Sequence, residues 1–405
     1  MLIFIPSGQR PFTISYKRDE SSNGYLLIYN RPAFNSGFCS GLQNQGNMRW
    51  HSTLFFLFVA VLKFSESVPI AERNKLILYH GSNQPEIYQV AEGTQILKSQ
   101  NFDNSKKTVI YVHGYIENQT SVSVRTVVEA YNQRNDYNII TLDWKEDASG
   151  SYLFNAFPNS MKVGDVVSKA VLNMIEEGLS VERLHLVGHS LGGQMVGRIG
   201  GEVKRRSGGR VVLKRISALD PAFPGFYGPF LKHITKDDAE FVDVIHTDAW
   251  IYGAPASTGT VDFWPNSGSA LQPGCPTRHD IFQLDENDLC SHWRSWRYWA
   301  ESLNQKNSQQ FHAVPAKNWR SFKQGNVGEY DPKVVMGNEC PSSASGDYYL
   351  QTNAEAPFAR GEAGTSYTSD ERIMSDVNSN FIDNEHLGDS LGNYNEKTYA
   401  ESPSY

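Results

Sequence analysis

The sequence predicts an α/β fold, in which a central, mostly parallel sheet is flanked by helices. Short apolar runs bounded by turn residues alternate with longer segments of helical periodicity between residues 108 and 303, a pattern typical of parallel α/β proteins. One glycine-rich turn joins an apolar run directly to a helical segment. Polar residues directly follow several of the runs, which is where functional groups gather in such sheets.

Five apolar runs predict strands, and three segments with helical spacing predict helices. The first of these helices is followed by Gly178, a typical stop signal. The predicted strands are Thr108–Val112, Tyr137–Leu142, Leu184–Val187, Lys214–Leu219 and Phe241–His246. The predicted helices are Asn159–Glu177, Leu191 to about Arg206, and Trp293–Leu303.

The turn between the third strand and the second helix carries a candidate nucleophile. Gly188-His189-Ser190-Leu191-Gly192 matches G-x-S-x-G, in which a serine lies on a sharp strand-to-helix turn with its hydroxyl exposed. Glycine at both ends permits this turn, because a Cβ there would strike the neighbouring strand or helix. The motif alone is compatible with a plain glycine-rich turn, but the flanking strand and helix favour catalysis.

A catalytic serine needs a histidine base and a carboxylate that fixes the imidazole. In the α/β-hydrolase fold the chain order is Ser, then Asp or Glu, then His. Asp220 is the favoured acid, because it ends a predicted strand and is followed by Pro221, although an Asp-Pro pair also forms ordinary turns. Asp243 and Asp248 are weaker alternatives.

Six histidines further along the chain are candidates for the base. His292 is favoured, because it follows Cys290 by two residues and begins a helix-like run, so that a disulfide at this cysteine would hold the imidazole in place. His279 is the second candidate, and spacing alone leaves the choice open. The six are His233, His246, His279, His292, His312 and His386.

The tetrahedral intermediate of acyl transfer needs two preorganised N–H donors, which form an oxyanion hole. The first predicted donor is the backbone N–H of Leu191, the residue after the nucleophile. The second is the backbone N–H of Tyr115, because His113-Gly114-Tyr115 directly follows the first predicted strand.

The N-terminal region predicts secretion. The apolar run Leu54–Leu62 follows Arg49 and precedes small residues at Ser65–Ser67, so residues 48–67 are expected to be a signal peptide. A buried core helix is the alternative, since so short a run cannot span a bilayer.

The domain boundaries follow from this expectation. Translation is expected to begin at Met48, residues 1–47 being a leader outside the true protein, and the mature chain is expected to begin near Val68. Residues 68–360 then form the α/β domain, and the polar, acidic residues 361–405 form a disordered tail. The net charge of −7 argues against a nucleic-acid partner.

Secretion also changes how the cysteines and one short motif are interpreted. Cys275 and Cys290 lie close together in the sequence and are expected to form a disulfide. Cys340 has no obvious partner, and Cys39 lies in the leader. Asn118 begins the sequon Asn-Gln-Thr and is predicted to carry a glycan on a surface loop.

Eight stretches between Thr108 and Gly361 resemble, in order, the pancreatic-lipase family, especially its insect secreted members. They are VIYVHGY, TLDW, VGHSLGG, ALDPAFP, FVDVIHTD, VDFWPNSG with QPGC, CSHWRSWRYWAES and YYLQTNAEAPFARG. The resemblance implies a secreted carboxylester hydrolase that acts on lipids. It implies that Ser190 is the nucleophile, Asp220 the acid and His292 the base, and that Tyr115 and Leu191 donate to the oxyanion.

The sequence departs from the large triacylglycerol lipases of this family in three ways. It has no room for their C-terminal β-sandwich, so no colipase partner is expected. The lid that the family closes with the disulfide matching Cys275–Cys290 is short, with 14 residues between the cysteines, and so is the loop Asp248–Asp262. Both shortenings are similar to the phospholipase A1 branch. In the family's calcium site, Asp238 matches a ligand but Thr235 replaces a carboxylate, so no metal or other cofactor is expected.

Three functions therefore compete. The favoured one is a phospholipase A1-like hydrolase acting on lipid at a membrane, micelle or droplet surface. The alternative is a triacylglycerol lipase with the same chemistry. A non-catalytic storage or lipid-binding protein, similar to insect yolk proteins that lack the nucleophile, is disfavoured because Ser190, Asp220 and His292 are all present.

Overall fold

The computed structural model describes residues 13–19 and 24–30 as backbone, and residues 68–81, 84–228, 231–278, 281–304, 309–328 and 333–369 with side chains. The chain divides into two compact units, residues 1–67 and 68–405. In the first unit, β1 (Thr13–Asp19) and β2 (Gly24–Asn30) pair as an antiparallel hairpin, although the sequence has no strong pattern there. The predicted signal peptide, residues 48–67, lies outside the described residues.

The second unit is built on an eleven-stranded sheet within the described part of the chain. Its order is β12-β11-β13-β10-β9-β8-β7-β5-β6-β3-β4. The strands from β6 to β13 in that order run parallel, and the outer pairs at both edges are antiparallel. The strands are β3 (Lys75–Tyr79), β4 (Glu86–Gln89), β5 (Lys107–Val112), β6 (Tyr137–Asp143), β7 (Leu184–His189), β8 (Arg215–Leu219), β9 (Phe241–Ile245), β10 (Val261–Pro265), β11 (His312–Pro315), β12 (Val334–Val335) and β13 (Gly346–Leu350).

Helices cover the sheet, and the prediction of an α/β-hydrolase architecture is confirmed. They are α1 (Ile70–Arg73), α2 (Val122–Asn132), α3 (Phe157–Glu176), α4 (Leu191–Arg206), α5 (Glu286–Ser302) and α6 (Trp319–Lys323). Among the described residues, no helix combines the length and the hydropathy that crossing a bilayer requires.

The sheet is buried on both faces, which explains why its central strands are continuous apolar runs. In β5, Ile110 and Val112 belong to one apolar core, whereas Val109 and Tyr111 belong to the other. Successive side chains of a strand point to opposite faces, so the two cores lie on opposite sides of the sheet.

Helix α5 begins seven residues earlier than the sequence predicts, at Glu286 rather than Trp293. The Asp285 carboxylate accepts a hydrogen bond from the Asp288 N–H at 2.8 Å and caps the first turn. Cys290 and His292 therefore lie inside the helix, and His292 does not begin it.

The region predicted as a disordered tail starts with ordered residues. Gly361–Thr365 forms a 3₁₀ turn, the Gln351 side chain donates to the Thr368 carbonyl at 3.0 Å, and the Tyr367 ring meets Trp319 edge to face. Residues 370–405 lie outside the described residues, so the tail prediction applies to them alone.

The expected disulfide between Cys275 and Cys290 is confirmed, with the two Cα atoms 5.6 Å apart. It ties the loop before α5 to the second turn of that helix. Cys340 is a buried free cysteine.

We expect Cys275→Ser/Cys290→Ser to lower the free energy of unfolding by about 3 kcal/mol, because the cross-link restricts the unfolded chain. Urea denaturation followed by tryptophan fluorescence measures the change. Cys340→Ala, which removes a thiol but no cross-link, is the matched control. Reductant should lower the free energy of unfolding of the wild type to that of the double variant, and it should leave the double variant unchanged. Equal stability of the wild type, the double variant and Cys340→Ala without reductant would contradict the role of the disulfide.

Candidate active site

Ser190 lies on a strained turn between β7 and α4. Its backbone has φ 55° and ψ −120°, a region that residues with a side chain rarely adopt. A Cβ on Gly188 would lie 2.1 Å from the Gly192 carbonyl oxygen, and one on Gly192 would lie 2.1 Å from the Val112 carbonyl oxygen. Only glycine fits at these two positions, so the turn brings the serine against the end of the neighbouring strand β5.

Asp220 and His292 are joined in the manner of a catalytic acid and base. The Asp220 Oδ2 atom lies 2.6 Å from His292 Nδ1, and both side chains are buried. The other carboxylate oxygen accepts the backbone N–H groups of Thr247 at 2.8 Å and Asp248 at 3.1 Å. These contacts fix the imidazole so that Nδ1 carries the proton and Nε2 is the basic nitrogen.

The same backbone segment holds Ser190 and Asp220 close together. The Ser190 N–H donates to the Leu219 carbonyl at 3.0 Å, and the Ser190 carbonyl accepts from the Ala222 N–H at 3.0 Å. The neighbouring His189 ring lies 4.7 Å from the His292 ring. Among the described residues, no hydrogen bond joins the Ser190 hydroxyl to the His292 imidazole, and catalytic hydrogen bonds often form fully only when substrate is bound.

The two predicted oxyanion donors flank the serine. A Cβ on Gly114 would lie 3.0 Å from the Ser190 Cβ, which places the loop of Tyr115 against the nucleophile. Leu191 is the first residue of α4, where backbone N–H groups have no partner within the helix and the helix dipole is positive. The Tyr115 hydroxyl donates to the Gly150 carbonyl at 2.5 Å and holds this residue from its far end.

Burial lowers the pKa of the His292 imidazole below its usual value, although the hydrogen bond to Asp220 acts in the opposite direction. The neutral, basic form therefore persists to lower pH than in a free imidazole. This form is the one that accepts a proton from a serine hydroxyl.

The alternative acids and bases have other partners. Asp243 pairs with Arg215 at 2.8 Å and Asp248 with Arg278 at 2.7 Å. His246 pairs with Asp262 at 2.7 Å. His233 stacks near Tyr227, and His312 lies 3.5 Å from Glu362. His279 and His386 lie outside the described residues.

The segment enclosed by the disulfide is tied to the body of the domain near the site. Arg278 lies 2.7 Å from Asp248 and 3.0 Å from Asp288. The Phe282 N–H donates to the Tyr252 hydroxyl at 2.8 Å, and the Tyr252 ring lies 5.6 Å from the His292 ring. Tyr252 therefore lies between this short lid and the imidazole of His292.

The structure describes two further predicted sites, Asn118 and Asp238, but does not test their roles. The Asn118 side chain accepts from the Thr120 N–H at 2.8 Å on the loop between β5 and α2. Asp238 accepts from the Thr235 N–H at 2.8 Å, so this candidate calcium ligand caps a short turn. The described residues contain no cluster of three metal-ligating side chains, and the absence of a metal requirement stays a prediction.

Sequence reasoning missed Glu117, two residues after Tyr115. Its carboxylate accepts the Gly114 N–H at 2.6 Å and lies 3.4 Å from His189 Nδ1. Its position shortly after the oxyanion loop was the available signal, but only the folded chain shows that it contacts both motifs.

The sheet, the strained serine and the Asp–His pair define an α/β-hydrolase. A family model described as Lipase matches residues 56–358, and the chain therefore belongs to the pancreatic-lipase family. It is 33% identical to lipase member H-A of Xenopus laevis over 269 residues, which cover 66% of this chain and 55% of that protein. It is 31% identical to pancreatic triacylglycerol lipase of Oryctolagus cuniculus over 321 residues, 73% of this chain and 66% of that one.

A third relative limits what family membership implies. The chain is 28% identical over 325 residues to the inactive pancreatic lipase-related protein 1 of Homo sapiens, with 73% of this chain and 66% of that protein covered. The chain also spans only about half of the length of lipase member H-A. Activity therefore has to be argued from the site of this chain itself.

We expect the reactivity of Ser190 toward a fluorophosphonate to fall in acid with a midpoint below about pH 6.5, the usual pKa of histidine. The reason is that burial disfavours the charged imidazolium of His292, and only the neutral form activates the serine. Labelling rates between pH 4 and 9, read by mass spectrometry, measure the midpoint. Ser190→Ala is the control for labelling elsewhere, and a midpoint well above pH 7 would contradict the prediction.

Proposed function

We propose that this protein is a serine carboxylester hydrolase that cleaves fatty-acyl esters of lipids through an acyl-enzyme on Ser190. The observation that carries the proposal is the buried hydrogen bond of 2.6 Å between Asp220 and His292, next to a serine held in a strained turn. Lipid binding alone requires neither a strained serine nor a buried acid–base pair at the same edge of the sheet, and such pairs are concentrated at catalytic sites.

In the acylation step, Ser190 Oγ attacks the ester carbonyl carbon and His292 Nε2 takes the hydroxyl proton. The carbonyl oxygen becomes an oxyanion that accepts the backbone N–H groups of Tyr115 and Leu191. As the intermediate collapses, the ester C–O bond breaks and His292 returns the proton to the departing alcohol. Asp220 stays ionised throughout and stabilises the imidazolium.

Deacylation repeats the sequence with water as the nucleophile. His292 removes a proton from water, the resulting hydroxide attacks the acyl carbon, and the same two N–H groups stabilise the second oxyanion. The proton then passes to Ser190 Oγ as the fatty acid leaves. Two moderate barriers thereby replace a single high one.

A lipid surface as the physical form of the substrate is supported by exposed apolar side chains near the site. Ile116 adjoins the oxyanion residue Tyr115, and its side chain is half exposed. Phe154 is 84% exposed and lies two residues after Tyr152, whose ring meets Tyr115 edge to face. Trp250 and Phe282, on the two short loops, are also exposed. Exposed large apolar side chains around a site support contact with an apolar surface.

Phospholipids are the favoured substrate class because both loops over the site are short. The lid is fixed at its base by Arg278, whose ion pairs with Asp248 and Asp288 are largely buried. A short, fixed lid leaves room for a bulky polar head group beside the acyl chain. Triacylglycerol is the alternative substrate, and it is favoured by the similarity to the pancreatic triacylglycerol lipase of Oryctolagus cuniculus.

We expect purified protein to release fatty acid from the sn-1 position of phosphatidylcholine vesicles faster than from triolein emulsions. Ser190→Ala should lower either rate by a factor on the order of 10⁶, because it removes the nucleophile. Fatty-acid release is measured by titration, and lysophospholipid regiochemistry by mass spectrometry.

The outcomes separate the candidate functions. Preference for triolein would replace the phospholipid assignment by the triacylglycerol one. Absence of Ser190-dependent hydrolysis, with both lipids bound by the folded protein, would favour a storage or lipid-binding protein. Activity that survives in Ser190→Ala would contradict the assignment of the nucleophile.

We propose further that the protein is secreted and carries a glycan on Asn118. The disulfide between Cys275 and Cys290 supports an oxidising compartment. The signal-like pattern of residues 48–67 and the sequon support the same route.

We expect protein collected from the medium of expressing eukaryotic cells to begin near Val68, because signal peptidase cleaves after the small residues that follow the apolar run. N-terminal sequencing of that protein makes the measurement, and peptide-N-glycosidase treatment of wild type and Asn118→Gln provides the glycan control. A mature chain that retains residues before Met48 would contradict the start site proposed here.

A further inference from the structure

We propose that Glu117 is a positioning residue that fixes the oxyanion hole by holding the Gly114 peptide against the nucleophile. The inference deepens the function proposed above and rests on it. It goes beyond the serine, the acid, the base and the two N–H donors, because Glu117 touches neither the substrate nor the reacting atoms.

The Glu117 carboxylate is anchored at both oxygens. One oxygen accepts the Gly114 N–H at 2.6 Å and faces His189 Nδ1 at 3.4 Å. The other accepts the hydroxyl of Ser123, in the first turn of α2. The side chain is 14% exposed, so water does not compete freely for these contacts. The carboxylate therefore links the oxyanion loop, helix α2 and the residue next to the nucleophile.

The Gly114 residue is held from its other side by His113. His113 Nδ1 lies 3.0 Å from the Gly114 carbonyl oxygen, and its Nε2 lies 3.4 Å from the Trp144 backbone N–H. The Trp144 N–H can only donate, so Nε2 accepts and Nδ1 carries the proton that bonds Gly114. Burial lowers the pKa of His113, which favours this neutral form.

These two anchors determine where the Tyr115 N–H points. The peptide that joins Gly114 to Tyr115 is planar and trans, so its C=O and N–H point in opposite directions. His113 fixes the carbonyl of this peptide, and Glu117 fixes the N–H of the preceding one. With both contacts made, Gly114 cannot rotate independently of the loop, and the Tyr115 N–H keeps its direction.

The charge of Glu117 is stable under the conditions of catalysis. Burial raises the pKa of its carboxyl, but the hydrogen bonds with His189 and Ser123 act in the opposite direction, and the pKa is lowered to about 2. An ionised carboxylate bonds an N–H more strongly than a neutral group does. The anchor on Gly114 is thus present at every pH at which His292 can act as a base.

The matched substitutions are Glu117→Ala, which removes the acceptor, and Glu117→Gln, which keeps one. The amide oxygen of glutamine can accept the Gly114 N–H while its NH₂ donates to the Ser123 hydroxyl. We expect Glu117→Ala to lower kcat by about 10- to 100-fold with KM nearly unchanged, less than the 10²–10³ lost when an oxyanion donor is removed outright. Glu117→Gln should recover most of this loss.

Two readouts distinguish positioning from stability. The first is kcat against KM on a phospholipid substrate, and the second is the phosphonylation rate of Ser190 by a fluorophosphonate, whose phosphoryl oxygen enters the same hole. Glu202→Ala is the control, since Glu202 loses ion pairs with Arg198 and Arg205 about 18 Å from Ser190 along the axis of α4. If Glu117→Ala does not fold, Glu117→Leu, which preserves volume, replaces it.

The expected result is a parallel loss of kcat and phosphonylation rate in Glu117→Ala, recovery in Glu117→Gln, and no loss in Glu202→Ala at comparable stability. Wild-type rates in a folded Glu117→Ala, a loss confined to KM, or an equal loss in Glu117→Gln and Glu117→Ala would each overturn the proposal. If the wild type hydrolyses no lipid ester, the proposed function fails, whereas the phosphonylation rates still decide the role of Glu117.

Discussion

The close approach of two backbone segments at Gly188 and Gly192 is the constraint on which the site depends. Each glycine stands where a Cβ would lie 2.1 Å from a backbone oxygen, so no rotamer change could accommodate a side chain. This contact sets the distance between β7, α4 and the end of β5. Because β5 continues directly into the oxyanion loop, the same contact that bends the chain at Ser190 also brings Gly114 of that loop beside it.

Asp220 is located by its own backbone conformation and by a close contact between its carboxylate and a glycine. Its φ is 45°, and a Cβ on Gly253 would lie 2.1 Å from its carboxylate. The Asp220 carboxylate accepts two backbone N–H groups just after β9 and contacts His292 on helix α5. Three strands that end at one edge of the sheet, β5, β7 and β8, thus carry the proposed donors, nucleophile and acid, while α5 carries the proposed base. The chemistry is a consequence of parallel strand order, since an antiparallel neighbour would send its terminal residue to the opposite edge.

The strands β5 to β9 and the strand-to-helix turn of Ser190 could be predicted from the sequence, and the edges of the sheet could not. Strands β5 to β9 are buried on both faces and leave a plain apolar signature. The edge strands β3, β4, β11 and β12 are short, and in β4 half-buried and exposed side chains alternate, so their pattern hardly differs from a loop. His292 needed the family resemblance, because six histidines follow Asp220 and its place after Cys290 favours it without deciding the choice. Glu117 lies shortly after the oxyanion loop, but its contact with His189 joins residues 72 positions apart, and only the folded chain shows it.

The buried polar groups near Ser190 are the feature that favours a catalytic site over a fold that only binds lipid. Burying carboxylates and imidazoles costs free energy unless each has a partner, and a lipid-binding protein of this fold is free to replace them with apolar side chains. Here Asp220 has two backbone N–H groups and an imidazole, and Glu117 has a backbone N–H, a hydroxyl and a second imidazole. Both carboxylates are directed at the segments that flank Ser190. Because one relative is named as inactive, family membership alone does not assign activity, and the proposal of a hydrolase rests on these two buried networks beside Ser190.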